Sequence, residues 1–296
     1  MADTLSRNSK YWQDNGSLIV HVENESYKLD PTVLDNISSR FASLPRESTE
    51  LLPLVKLEDI ASSDFQALLE HVYNDIPLET DPSFSRLASI LRVTSERQLD
   101  IPSINAAARQ KLLEIFPKGL EDLVQYPDAP DEALTLAVEY NLLPIQKALY
   151  YRVATHMHLH EEEPNGDATG DEAQSRDTTH QDPSTIANLP PELRQRCKTL
   201  LDQLIDHFTP ILFTVATAGH MACTDVFAET WMPVVIGPAL ETSGLCKPIE
   251  TLQTIMDIDW KSHGLCDECV KEKREEWRGE QEVIWKKMNE WLGLEA

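Results

Sequence analysis

Glycine is scarce in this chain, ten in 296 residues, and cysteine scarcer still at five. So few glycines leave little room for backbone loops that cradle phosphate. Neither a glycine-rich phosphate loop, a Gly-x-Ser-x-Gly elbow nor a His-Glu-x-x-His pair occurs. Catalysis is therefore not the first expectation, although catalytic triads are set by geometry and leave no fixed order in sequence. Five cysteines, odd in number and scattered, do not make a disulfide framework; reduced thiols or a metal site are the readings that fit. Basic side chains are also short in supply, 26 Lys and Arg against 50 Asp and Glu, a formal net charge of −24. Direct binding of nucleic acid is excluded on that balance, because phosphate recognition needs clustered cations. Lys271, Lys273 and Arg274 are interleaved with Glu272 and Glu275, so they form no basic import signal. No apolar run is long enough to span a bilayer and no charged-then-apolar leader opens the sequence. The expectation is an intracellular protein, cytoplasmic or nuclear, without membrane contact.

What is present begins with extended pattern. Leu18, Val20 and Val22 alternate with more polar residues, Asn24 to Ser26 break the run, and Tyr27 to Leu29 resume it. Asp30 and Pro31 then form a helix start, a carboxylate to accept first-turn N–H groups followed by a residue with its φ preset. Leu34, Ile37, Phe41 and Leu44 give that helix one apolar face. Leu54 to Glu58 reads as a third strand. Phe65, Leu68, Leu69, Val72 and Tyr73 form a helical stripe behind a Ser62, Ser63 cap, and Asp81 and Pro82 open a helix carrying Phe84, Leu87, Leu91 and Thr94. Ala108, Leu112 and Phe116 mark a further helix that ends before Pro117. The fold class expected is α+β, short strands and helices first and a mostly α-helical C-terminal region after them.

This order resembles the BTB (POZ) domain, in particular the fungal BTB proteins of about this length, over Tyr11 to Pro117. The family's entry, an aromatic strand residue, then a His, three residues and a Leu, is matched by Tyr27, Lys28, Leu29, Asp30, Pro31, Thr32, Val33 and Leu34, with Ser38 and Phe41 in the expected helix positions. Asp30 stands where the family has its His. The ending, from Gly264, Leu265 and Cys266 through Trp285 to Leu292, Gly293 and Leu294, is also similar to fungal BTB proteins. The resemblance implies a protein-binding fold that dimerises with itself or with other BTB proteins through its first strand and the helix here at Pro31 to Leu44. It places Ile19, Val33, Ile37 and Arg40 on the dimer face. In the family the helices that follow can dock on a cullin scaffold, which would make the chain a ubiquitin ligase substrate adaptor.

The domain limits expected are a tail at 1–10, the BTB domain at 11–117, a helical extension at 118–158 packed on that domain, an acidic flexible linker at 159–188, and a helical domain at 189–296. The linker is acidic and nearly free of apolar residues, so it cannot offset its chain entropy. His156, His158 and His160 at its edge read as solvated. Beyond it, Leu193, Cys197, Leu200, Leu201, Leu204 and Phe208 share one face of a helix opened by Pro191, so Cys197 reads as a small buried apolar group. A helix from Pro248 and a last helix carrying Val270, Trp277, Ile284, Met288 and Trp291 complete the pattern.

One chemical constellation stands out. His220 and Cys223, and Cys266 and Cys269, are two pairs with the same two-residue gap, and that gap lets both members of a pair turn toward one ion. They make a candidate structural zinc site, with Cys246 or His263 able to replace one ligand. The alternative, three ordinary reduced cysteines and a surface histidine, stays open, as does a weaker redox reading of Cys266 and Cys269. The function expected is a non-enzymatic protein-interaction module. Its alternatives are a transcription-regulatory scaffold acting through partners and a zinc- or thiol-dependent enzyme in the C-terminal half.

Overall fold

The computed structural model describes residues 6–48, 52–78, 83–116, 119–120, 123, 130–157 and 189–294. The Asp81 and Pro82 helix start, the 159–188 linker, and His158 and His160 lie outside the described residues. The chain is mixed α and β, and it divides into two compact units, Met1–Phe116 and Pro117–Ala296.

In the first unit a sheet has the order β1 (Ser6–Trp12), β3 (Glu25–Leu29), β2 (Leu18–Val22), β4 (Leu54–Leu57). β2 and β3 form an antiparallel hairpin, turned at Glu23 in the left-handed region (φ 49°). β4 runs parallel to β2, and β1 parallel to β3. Alternation does what it should: Leu18, Val20 and Val22 are buried, Ile19 and His21 between them only half. β1 takes up residues 6–10 of the expected tail; residues 1–5 lie outside the described residues. Its Ser6–Lys10 half carries no buried residue and no apolar alternation, so backbone pairing with β3 holds it as an edge strand.

The expected helix from Pro31 to Leu44 is two. α1 (Pro31–Ile37) starts as the sequence indicates, with the Asp30 carboxylate accepting from Thr32 N–H at 3.0 Å. It stops at buried Ser38, whose backbone is extended (φ −132°) and whose Oγ accepts the Phe41 N–H at 2.9 Å to start α2 (Ser39–Ala42). The same hydroxyl donates to the Leu99 carbonyl. The apolar stripe runs across the break, because Leu34 and Phe41 both reach the core. α3 (Ser62–Val72) likewise lacks the serine cap expected for it. Glu23, from the hairpin turn, accepts the Ser62 N–H at 3.0 Å, while Ser62 Oγ donates to Val22 O at 3.0 Å. α4 (Phe84–Val93) and α5 (Pro102–Ile115) complete the unit, and α4 docks on α3 partly through Arg92, whose guanidinium meets buried Asp64 at 2.8 Å. Tyr27 and Phe65 meet edge to face at 5.1 Å in the core.

Among the described residues the elements of the second unit are all helical: α6 (Pro130–Glu139), α7 (Leu143–Met157), α8 (Pro191–Phe213), α9 (Met221–Thr230), α10 (Gly237–Glu241), α11 (Pro248–Asp257) and α12 (Asp267–Leu292). α6 and α7 belong to this unit, where the sequence had them as an extension of the first domain. α7 packs along α8, and the Tyr151 hydroxyl accepts the Ile249 N–H of α11 at 3.2 Å. Between α9 and α10 the helix widens into a π-helical stretch, Trp231–Ile236. Pro233 sits within it, and a wider turn relieves the clash that a proline ring makes in an α-helix. No helix among the described residues is long and apolar enough to cross a membrane.

Candidate metal centre

Two helices begin at the same place in space. His220 is the N-cap of α9 and Cys223 its third residue; Cys266 is the N-cap of α12 and Cys269 its third residue. The two-residue gap therefore has a local meaning. An N-cap residue is extended and the third helical residue lies one turn in, so both side chains lean over the same helix start. Two such starts face each other. Gly264 (φ +107°) makes the turn that delivers Leu265 and Cys266, a conformation that other residues resist.

The four ligand atoms, His220 Nδ1 and the Sγ atoms of Cys223, Cys266 and Cys269, all lie within 4.8 Å of one another. Cys223 Sγ is 3.7 Å from Cys266 Sγ. His220 Nδ1 is 3.3 Å from Cys266 Sγ and 3.5 Å from Cys269 Sγ. A zinc tetrahedron with Zn–S near 2.3 Å and Zn–N near 2.0–2.1 Å has S···S edges of about 3.8 Å and N···S edges of about 3.5 Å. These three pairs stand near those separations, and no pair of the four donors is more than 4.8 Å apart. Among the described residues this is the cluster able to hold a metal ion. Cys246 and His263, considered as substitutes, are not in it: Cys246 is buried in the turn before α11, and His263 lies beside the Trp260 ring at 6.0 Å.

Electrostatics fit the chemistry. The nearby backbone N–H and thiol of Cys269, with His220 and Cys223, favour the Cys266 thiolate and pull its pKa down to about 7. Burial, then the neighbouring Cys266 and Cys223 sulfurs, push Cys269 up to about 11. One thiol is eased toward its thiolate and the next is held back, and a bound cation would favour the thiolate at both. Three thiolates and a divalent ion would carry one net negative charge. Two helix N-termini, each worth roughly half a positive charge, face it.

Behind the cluster lies a stack of rings. Phe227, one turn beyond Cys223, meets Trp260 at 5.0 Å, Trp231 at 6.0 Å and Trp277 at 6.2 Å. Trp277 is core, as its spacing on the last helix indicates. The part played by Phe227 and Trp231 was readable only as an i, i+4 aromatic pair, and Trp260 lies outside any periodic segment. Thr224 fastens the preceding loop: its Oγ1 accepts the Ala218 N–H at 3.0 Å. Of the ten residues of α9, Cys223 and Phe227 are the buried ones. One is a candidate ligand and the other is in the ring stack.

The remaining candidates lie elsewhere. Cys197 is fully buried on α8, and desolvation raises its thiol to about 12, so it is an inert core group. Ile19 is half-buried on β2; Val33 and Ile37 are half-buried on α1, Ile37 against the core; Arg40 is exposed on α2 and donates to Glu96 O at 2.6 Å. His156 sits in the last turn of α7 with Nδ1 2.9 Å from the Arg152 carbonyl. An open groove of about 910 Å³ at the ends of β2 and β4 is lined by His21, Lys56 and Asp59 among others.

No protein-family model and no curated protein matches this chain.

Proposed function

We propose that the chain is a non-enzymatic protein-interaction protein: a BTB-like N-terminal unit that pairs with a second copy or another BTB protein, and a C-terminal helical unit braced by structural zinc. The observation that carries this reading is the convergence of one histidine nitrogen and three sulfurs, from His220, Cys223, Cys266 and Cys269, within 4.8 Å of one another. Four protein ligands fill four positions. A catalytic zinc keeps one for water or substrate, so the donor set favours bracing over catalysis. Zinc bound here ties the start of α9 to the start of α12, across a gap that the chain otherwise bridges with the ring stack.

For the N-terminal unit, support comes from the order of strands and helices between Tyr11 and Phe116, which follows the BTB-like order inferred from sequence. Val33 on α1 and Ile19 on β2 offer half-buried apolar surface to a partner. Docking on a cullin scaffold, as a ubiquitin ligase adaptor, is the finer form of the same reading.

The test uses the full chain purified without chelator, with elemental analysis and size-exclusion chromatography coupled to light scattering at tens of micromolar. The expected result is about one zinc per chain, lost in Cys223→Ser, and a dimer that becomes a monomer in a doubly substituted Ile19→Lys, Val33→Glu chain. A metal-free protein with no affinity for zinc overturns the bracing role; a wild-type monomer overturns the pairing. Capture of a cullin from extract by the full chain would establish the adaptor form.

A further inference from the structure

The metal cluster has a second property besides its tetrahedral spacing: two of its sulfurs are in contact and one of them meets solvent. Cys266 is half-buried, whereas Cys223 is 5% and Cys269 1% exposed. Cys266 Sγ lies 3.7 Å from Cys223 Sγ, and a disulfide needs about 2.05 Å. Bringing the two sulfurs to that length withdraws both from a shared ion. Cys197 and Cys246, at 0% and 3% exposure, are outside the cluster and spectators.

We propose that Cys266 and Cys223 are a redox modification site, oxidised by peroxide to a disulfide that expels the zinc. This rests on the zinc reading of the site. The chemistry balances in two steps. The Cys266 thiolate attacks one oxygen of hydrogen peroxide, the O–O bond breaks, and Cys266 becomes a sulfenic acid with hydroxide leaving. The Cys223 thiolate then attacks the sulfenic sulfur, the S–O bond breaks, and a second hydroxide leaves as the S–S bond forms. Two protons from solvent convert both hydroxides to water. Sulfur has lost two electrons, peroxide has gained two, and the divalent ion departs in place of the two thiolate charges.

Cys223, and not Cys269, is the resolving partner for two reasons. The bond it makes joins α9 to α12, as the metal did, so Phe227 keeps its place among the tryptophans; a Cys266–Cys269 bond would leave α9 unclamped. The Cys223 sulfur also already lies against the Cys266 sulfur, at 3.7 Å. His220 is exposed and loses its ligand role, and the loop before α9 loses the clamp that His220 supplied. The site would exchange one clamp for another while freeing that loop.

The test treats the zinc-loaded full chain, its metal content measured first, with hydrogen peroxide in the presence of 4-(2-pyridylazo)resorcinol, and maps cysteines by mass spectrometry. The expected result is release of about one zinc per chain in step with a Cys223–Cys266 disulfide, and recovery of both on adding dithiothreitol and zinc. Zinc retained under peroxide, zinc lost with a Cys266–Cys269 bond, or zinc lost with sulfinic acid at Cys266 each overturns this proposal alone. A chain that neither contains nor takes up zinc overturns the metal reading and this proposal together.

Discussion

His21 shows how a single side chain couples the N-terminal unit to pH. It faces Lys56 across the β2 and β4 pair, and burial, followed by that lysine, holds its ring below the ordinary value of 6.5. Protonation is disfavoured in the folded chain and unopposed in the unfolded one. The contribution of His21 is therefore complete above pH 6.5 and is lost as pH falls through that value toward the lower folded one. Urea unfolding from pH 7 to pH 5 is expected to show a declining midpoint in the wild type and a flatter one in His21→Gln. An equal decline in both would assign the slope to other groups. At this scale much was legible in the sequence. Asp30 as a cap, Cys197 as a buried apolar group and the pairing of His220 with Cys223 are properties of neighbours along the chain. Exclusion of Cys246 and His263 was not, because spacing alone says nothing about which turns meet.

Elements were legible where their reasons are local and illegible where they are not. The apolar stripe through Leu34 and Phe41 passes over Ser38 without a sign of the break, which a hydrogen bond to the carbonyl of Leu99 helps to fix. β1 has no alternation to read, since its pairing with β3 is made of backbone alone in its first half. The convergence of α9 and α12 spans more than forty residues and depends on the turn at Gly264 and on the ring stack. Gly244 gives a test at this scale. A Cβ there would lie 2.7 Å from Thr251 Oγ1 and 2.9 Å from the Ala239 carbonyl, so the turn before α11 has no room for one. Gly244→Ala is expected to destabilise the second unit by about 1–3 kcal/mol, read from its melting temperature. A melting temperature equal to the wild type's would mean that the turn and α11 can separate without cost.

For the whole molecule, two compact units and a candidate metal site in one of them predict unfolding that is not two-state. If the cluster holds zinc as proposed, a chelator should lower that unit's transition and leave the other in place. Gly244→Ala should move the same transition as the chelator, and acidification the other through His21. Differential scanning calorimetry checks this directly: one transition that moves as a whole under chelator would mean that the two units unfold together. The net charge of −24 bears on partners at the same scale, since it favours association with basic surfaces and disfavours polyanions.

The ring stack has a consequence of another kind. Trp231, Trp260 and Trp277 have centroids 5.9 to 6.2 Å apart, with Phe227 lodged among them one turn from a metal ligand. Indoles so close share their ultraviolet excitations, and the shared signal depends steeply on their mutual angles. The second unit thus contains its own chromophore, placed where α9 would disturb it first, so any seating of an ion at the candidate site can be followed in unlabelled protein by near-ultraviolet circular dichroism.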